Sequence, residues 1–399
     1  MRSLTLAKNG LNKVRAHHKE LKQVDIDDSL KSIPPGEWCL LKHSELNGMW
    51  LCFINSMIDE KYSCVQLLEF LEIAQVNDDF SPLKFIEHKI CNAYIKRQRY
   101  QGYENGSRLV YGIADGLPGL IIDNFQSNAV IQINTAGLDK YRDEIKKIVE
   151  KIINGKAYFL DNAKYREKEL LPTFKTEPLP ALDIEENGLR FHLRAEVMQK
   201  VGFYYDHREN RYQLIQILNR LKGNYEHALD LFSYVGAWGL AALKAGAKTA
   251  TFVDQGDFGI EINMALELNG FKGLGQYLRA DVFKFLDEAI HNKNEFDLIL
   301  CDPPAFAKSH LQKNQALDGY SKLHRKVFKV AKAGALVAFS SCTHYVSHEE
   351  FQKNINEAAQ KENKRIQLLY TGLQGWDHPV TSQLDKSNYI KSYFYLLES

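Results

Sequence analysis

From about residue 186 onward, short apolar runs alternate with segments whose apolar positions recur at helical spacing. Runs at residues 228–232, 249–253, 276–279, 296–301 and 335–341 predict strands. Helical spacing near 238–245, 258–269, 282–290 and 315–331 predicts the helices between them. A further helix is expected at 348–361, followed by two strand-like runs at 366–370 and 389–397. Strands alternating with helices imply an α/β fold, a parallel sheet covered on both faces.

The upstream pattern differs. Residues 1–75 are β-rich and irregular, with apolar runs at 38–41, 50–54 and 64–70, and predict a small barrel-like domain. Residues 76–100 read as a polar connector ending in a basic helix or strand, Tyr94-Ile-Lys-Arg-Gln-Arg-Tyr100. Residues 107–185 predict a small α+β unit. Its strands fall at 108–113, 120–123 and 129–134, with turn chemistry in Ala114-Asp-Gly-Leu-Pro-Gly119. Leu138, Tyr141, Ile145, Ile148, Val149 and Ile152 predict a helix over 138–153 that stops before Asn154-Gly155. The Pro-rich stretch 171–180 is a natural boundary. The expected domains are 1–75, 76–185 and 186–399, a division that 399 residues allow.

Composition changes this picture little. Hydrophobic residues make up 45% and charged residues 25%, as in ordinary globular chains. A formal net charge of +1 gives no global attraction for nucleic acid, so any such surface is local. No signal-peptide core and no run of about eighteen apolar residues occurs, so no membrane contact is expected. The six cysteines are scattered without a CxxC pair, which argues against a thiolate zinc site or a disulfide scaffold. A reduced, cytoplasmic setting without a metal is the simplest expectation.

The candidate chemistry lies at the strand ends. Ala228-Leu-Asp-Leu-Phe-Ser-Tyr-Val-Gly-Ala-Trp-Gly239 is a strand, a tight loop and a helix start. Glycine lets backbone approach a ligand in such a loop, although the spacing is not that of a dinucleotide fingerprint. Asp254 ends the second strand, where an acid can accept from ribose hydroxyls or cap the next helix. Asp281 follows the third strand, where an acid can accept from an adenine amino group. Asp302-Pro303-Pro304 follows the fourth. Ligands of open α/β sheets bind at that carboxyl edge. Acids repeated along it point to a nucleoside-containing cofactor. The pattern resembles class I methyltransferases, with Asp230–Gly239, Asp254, Asp281 and Asp302-Pro-Pro at their motif positions. The resemblance implies S-adenosyl-L-methionine bound by Asp230, Phe232, Ser233, Gly236, Gly239, Asp254, Asp281, Asp302 and Pro303.

Cys342 lies just past the fifth strand, in Val337-Ala-Phe-Ser-Ser-Cys-Thr343, on the same edge as Asp302. A free cysteine is usually a small buried hydrophobe; this position favours a nucleophile. Carbon 5 of a pyrimidine is a poor nucleophile until a thiolate adds at carbon 6. Asp302 is placed to assist on the nitrogen-3 side. The base that removes the carbon-5 proton is not identifiable in the sequence.

Several segments carry a closer resemblance. They are Leu4-Thr-Leu-Ala-Lys8, Asp115-Gly-Leu-Pro-Gly119, Leu179-Pro-Ala-Leu-Asp-Ile-Glu-Glu-Asn-Gly188 and Val201-Gly-Phe-Tyr-Tyr-Asp-His-Arg-Glu-Asn-Arg211. Asp302-Pro-Pro-Ala-Phe306, Gly319-Tyr320, Ser340-Ser-Cys342 and Asp377-His-Pro-Val380 continue the series. The chain resembles bacterial 23S ribosomal RNA cytosine methyltransferases that carry an amino-terminal PUA domain and make 5-methylcytosine. The match covers roughly residues 100–399 and is thin over 1–75. It implies a PUA-like domain at 1–75, an inserted central domain, RNA as partner, and catalysis by Cys342 and Asp302. A homodimer is compatible with the reading. The chain departs from the family at Ala305, where a Lys is common, and at Arg15-Ala-His-His-Lys-Glu20, where a His-Pro-Trp-type stretch is usual. Ala305 also stands where a second family of RNA cytosine methyltransferases has an extra Cys, so a single-thiol mechanism is expected, with Cys301 a strand core residue.

Asp206 and Arg208 are expected to form a lip touching the cofactor's amino-acid end or the RNA. His378 is a loop histidine that either lines the cleft or is structural. Tyr94–Tyr103 is a candidate for phosphate binding and base stacking, or a solvated linker. Lys308, Lys313 and Tyr320 are candidates for framing an entering nucleotide. Two rival functions remain open at this stage. One is an RNA methyltransferase acting on a base nitrogen, which needs no thiol. The other is a non-catalytic RNA-binding assembly factor.

Overall fold

The computed structural model describes residues 1–398 apart from 60, 73–78, 162, 174–176, 199–201, 222, 308 and 381–387. The chain forms two compact units. The first comprises Met1–Pro180, Met198–Phe203 and Asp377–Ser387; the second comprises Ala181–Val197, Tyr204–Trp376 and Asn388–Ser399.

The first unit contains β1 (Arg2–Thr5), α1 (Lys8–Arg15), β2 (Glu20–Leu21), β3 (Glu37–Lys42), β4 (Gly48–Ile54) and β5 (Val65–Glu72). These strands form one sheet in the order β1-β3-β4-β5-β2. The apolar runs predicted β3, β4 and β5. The sequence reading missed β1 and β2. Each is a sheet edge that buries a single residue, Leu4 or Leu21, so no apolar run announces it.

Next come α2 (Pro82–Arg97), β6 (Gly106–Tyr111), β7 (Leu120–Phe125), β8 (Asn128–Ile133), α3 (Ala136–Asp139), α4 (Arg142–Ile153), β9 (Lys156–Phe159) and α5 (Ala163–Lys168). Strands β6 to β9 form a second sheet in sequence order. The basic stretch 94–100 thus lies on the last turn of a helix and just beyond it. Its N-cap is Ser81, with Pro at the first helical position. The helix predicted over 138–153 is interrupted at Tyr141, which leaves helical geometry (φ −110°, ψ 23°) and sets its ring edge-on to Trp38. It stops as expected at Asn154, which adopts the left-handed conformation. Trp38, Leu40 and Phe53 share one core with Ile86, Ile90, Ile122, Ile131 and Ile145.

The second unit opens with a hairpin, β10 (Leu182–Glu186) and β11 (Leu189–Leu193). Its turn is Asn187-Gly188, both at positive φ, the pairing favoured for a two-residue hairpin loop. There follow α6 (Arg208–Arg220), β12 (His227–Leu231), α7 (Ala237–Lys244), β13 (Thr249–Asp254), α8 (Gly259–Leu268), β14 (Gly275–Arg279) and α9 (Val282–His291). The chain continues with β15 (Phe296–Cys301), α10 (Lys313–Val330), β16 (Ala331–Ser341), α11 (His348–Lys361), β17 (Ile366–Gly372) and β18 (Lys391–Leu397). Seven strands form one sheet, ordered β14-β13-β12-β15-β16-β18-β17. The five strands β12 to β16 are mutually parallel, and β18 runs antiparallel to both β16 and β17. The strand order reverses between β12 and β15, which opens a crevice at their carboxyl ends. Leu229, Leu231, Ile299, Val337 and Phe339 of the sheet pack with Leu323 and Phe328 of α10 and Ile355 of α11. No helix among the described residues is long and apolar enough to cross a membrane.

Candidate active site

The loop after β12 is strained where it meets the crevice. Phe232 (φ 60°) and Tyr234 (φ 48°) are left-handed, as is Gly236 (φ 82°), which caps α7. Left-handed residues other than glycine persist where surrounding structure over-determines them, and they cluster at ligand sites. Here the backbone is pinned from two sides. Tyr234 N–H donates to Asp254 Oδ2 at 3.0 Å, and Gly239 N–H donates to Asp230 Oδ2 at 2.8 Å. A Cβ on Gly239 would lie 2.3 Å from the Phe252 ring, so its bareness serves the packing of α7 on β13.

The four acids of the sheet edge have different roles. Asp230 is fully buried, and its Oδ1 has no hydrogen-bond partner among the described residues. Burial pushes its carboxyl well above the usual range, with the Gly239 N–H pulling the other way. Ser233 Oγ, on the same loop, is likewise buried without a partner. Asp254 accepts from Tyr234 N–H and, at 2.9 Å, from Gly256 N–H. It does not cap α8, whose N-cap is Phe258. Asp281 does cap: its Oδ1 accepts from Lys284 N–H at the start of α9.

Asp302 follows β15 and remains partly exposed, with Pro303 buried behind it. Its Oδ2 accepts from Trp238 Nε1 at 3.1 Å and lies 3.4 Å from His207 Nε2. Asn210 orients that histidine. Its Oδ1 accepts from Tyr370 and its Nδ2 donates to Leu373 O, so the amide's remaining N–H faces His207 Nδ1 at 3.2 Å. With Nδ1 accepting, a neutral His207 carries its proton on Nε2, toward Asp302. Asp206 is buried; its Oδ2 accepts from Tyr389 OH at 2.8 Å and its carbonyl from Gly375 N–H. Arg208 is 2% exposed, 3.6 Å from Glu186 and over the Tyr205 ring.

Cys342 is half-buried in the loop after β16. The adjacent Ser341 Oγ pairs with Tyr320 OH at 2.9 Å. On the other side, Thr343 Oγ1 donates to Ala307 O at 3.2 Å. That bond ties the cysteine loop to the loop that begins with Asp302-Pro-Pro. Cys301 is buried in the core of β15, and burial pushes its thiol well up.

The sequence over residues 149–350 matches the family of S-adenosylmethionine-dependent methyltransferases. Two curated relatives carry the name ribosomal RNA large subunit methyltransferase I. The protein of Vibrio parahaemolyticus is 32% identical over 81% of this chain and 82% of its own length. That of Aeromonas salmonicida is 32% identical over 74% of this chain and 75% of its own. This chain is an S-adenosylmethionine-dependent methyltransferase. Its fold is also that of a methyltransferase crystallised with S-adenosylhomocysteine, at a TM-score of 0.76 and 20% identity over 99% of this chain and 100% of the other.

The residues at the switch point fit the methyltransferase's cofactor. A buried carboxylate oxygen of Asp230 and a buried hydroxyl of Ser233, both lacking partners among the described residues, are what a polar ligand would complete. Other expected residues are placed elsewhere. Arg97 and Tyr103 are both 1% exposed and belong to the first unit's core. Arg97 forks onto both oxygens of Asp115, so it offers nothing to a phosphate. His378 is structural: it is buried in the first unit with Nδ1 2.8 Å from Asp377 Oδ1. Lys313 is paired with Glu350, and Tyr320 is fully buried. Lys308 lies outside the described residues. His207, Trp238 and Lys391 were not singled out from the sequence. His207 lies in the segment Val201–Arg211 and Trp238 in the loop after β12, but nothing local signals that either turns to Asp302.

Proposed function

We propose that this methyltransferase forms 5-methylcytosine in 23S ribosomal RNA through a covalent Cys342 adduct. The observation that carries the reading is the Thr343–Ala307 hydrogen bond, which joins the cysteine loop to the Asp302 loop. The curated relatives' names supply the substrate class, and a cytoplasmic setting, where ribosomes assemble, is part of the proposal. Asp230, Phe232, Ser233, Gly236, Gly239, Asp254 and Asp281, with Asp302 and Pro303 at the edge, would hold S-adenosylmethionine. Asp206 and Arg208 would support its lip. When bound, the cofactor supplies an electrophilic methyl group on a sulfonium.

The Cys342 thiolate adds to carbon 6 of the cytosine, and carbon 5 becomes nucleophilic. Asp302, held by Trp238 and His207, would assist the ring on its nitrogen-3 side. After methylation the carbon-5 proton leaves to a base, and the thiolate is expelled. The loops hold thiol and acid on one edge, which supplies the orientation that a flipped-out base requires. The β-rich sheet of the first unit is read as PUA-like RNA-binding surface.

The test is transfer of labelled methyl to ribosomal RNA lacking the modification, followed by nucleoside analysis. Label in 5-methylcytidine, lost on Cys342→Ala by about 1,000-fold or more, is the expected result. Label on a base nitrogen, or full turnover by Cys342→Ala, would overturn the covalent route.

A further inference from the structure

Lys391 opens β18, and its side chain is only 2% exposed. In the antiparallel register with β16 it sits opposite Ser341, the residue before Cys342. Its Nζ donates to the carbonyl of Thr343, the residue after Cys342, at 2.7 Å, and to Tyr389 O at 2.9 Å. The ammonium therefore sits against the backbone that brackets the cysteine. Two of its three N–H donors go to neutral carbonyls. Neither carbonyl balances a buried cation, whose burial is unfavourable without a compensating charge.

We infer that Lys391 is a positioning residue for the nucleophile: its buried ammonium stabilises the thiolate of Cys342 and holds the sulfur in its attacking form. The inference rests on the covalent reading above. The thiol proton leaves to solvent and the lysine keeps its own, so the sulfur gains a counter-charge without a proton transfer between the two. Burial pushes Lys391 down to about 8, and the charge of Cys342 pulls it back up. The lysine is thus cationic at neutral pH and loses its charge above about 8.

Other groups face the pair. The tyrosines Tyr204 and Tyr320 each interact electrostatically with Cys342 and with Asp302 after β15, and burial raises both tyrosines. Both tyrosines stay neutral at working pH. His348 of α11 faces Lys391; burial first, then the lysine's charge, lowers it, so it too is neutral. The lysine's positive charge is what favours the thiolate among these groups.

The test reads the thiol directly. The full-length chain and its Lys391→Met and Lys391→Arg variants are alkylated with iodoacetamide across the neutral and alkaline range. Modification of the Cys342 peptide is followed by mass spectrometry. Lys391→Met is expected to slow alkylation about ten-fold at neutral pH, and Lys391→Arg to restore most of it. Methyl transfer should fall on the alkaline side near the lysine's titration, and Lys391→Arg should move that limb upward. A lysine that only ties the loop to β18 would leave the alkylation profile where it is, and that result overturns the inference. If Lys391→Met does not fold, the reciprocal measurement applies, because coupling between two titrating sites is mutual. In Cys342→Ser, Lys391 followed by carbon-13 NMR should titrate at lower pH than in the wild type. An unchanged titration would refute the coupling. A shifted alkylation profile together with full turnover by Cys342→Ala would uphold the Lys391–Cys342 coupling and sink the covalent reading alone.

Discussion

Two regions of the molecule bury aspartates and leave them in opposite states. Around Arg97, in the first unit, charge is balanced by charge. Arg97 takes both oxygens of Asp115 and the carbonyl of Asp377. Arg108 takes both oxygens of Asp123, while the Asp377 carboxylate is shared between Arg108 N–H and His378. At the crevice of the second unit, Asp230 and Ser233 are also buried but keep polar atoms with no partner among the described residues. A buried polar atom without a partner costs stability. Its persistence beside a strained loop points to a ligand, whereas a closed network points to architecture. The comparison shows why buried charge alone does not mark an active site.

The largest effect is expected for Arg97→Ala. It leaves the buried Asp115 carboxylate without its cation and the Asp377 carbonyl without a donor, and is expected to cost about 3–5 kcal/mol in chemical denaturation. A cost below about 1 kcal/mol, within the range of a surface substitution, would mean that the cluster is not structural.

Asp230→Asn should act in the reverse sense. It keeps an acceptor for Gly239 N–H but removes a carboxylate that burial disfavours. Because the folded carboxyl is raised, the wild type loses stability as pH climbs from the unfolded value toward the folded one. The amide relieves that loss, and the melting temperature at neutral pH should rise by about 2 °C. S-adenosylmethionine affinity should fall by about ten- to a hundredfold. The cofactor's ammonium and sulfonium favour the ionised acid, so wild-type affinity should increase as pH rises through the raised value. Calorimetric titration at several pH values checks this; affinity flat in pH and equal in the variant would remove Asp230 from the site. The smallest effect is expected at Ser233→Ala, with about a five-fold loss of cofactor affinity and stability unchanged to within about 0.5 kcal/mol. A clear loss of stability would show that Ser233 belongs with the architectural class.

Much of the second unit was legible because its signals are local. The strand at Phe296–Cys301 and the helix at His348–Lys361 have the ends read from the apolar pattern, and the latter carries a full capping box at Ser347 and Glu350. The first unit was less legible. Its edge strands bury one residue each, and the basic stretch around Arg97 looks solvated until its partners arrive from residues 108, 115 and 377. Asp281 shows the converse limit: its capping of α9 depends only on the residues just after it, yet the strand-end pattern pointed to an adenine contact there and to capping at Asp254.

By itself, the sequence determined the alternation of strands and helices, the acids at successive strand ends, and the cysteine after the fifth strand. From these followed the methyltransferase class and its cofactor. These features depend on neighbouring residues, because periodicity, turns and caps act over a few positions. Only the tertiary structure decided which acid keeps a buried oxygen unpartnered, that His207 turns toward Asp302, and that Lys391 lies against the backbone around Cys342. Each depends on strand register and burial between residues far apart in the chain, and desolvation makes those long-range pairings matter.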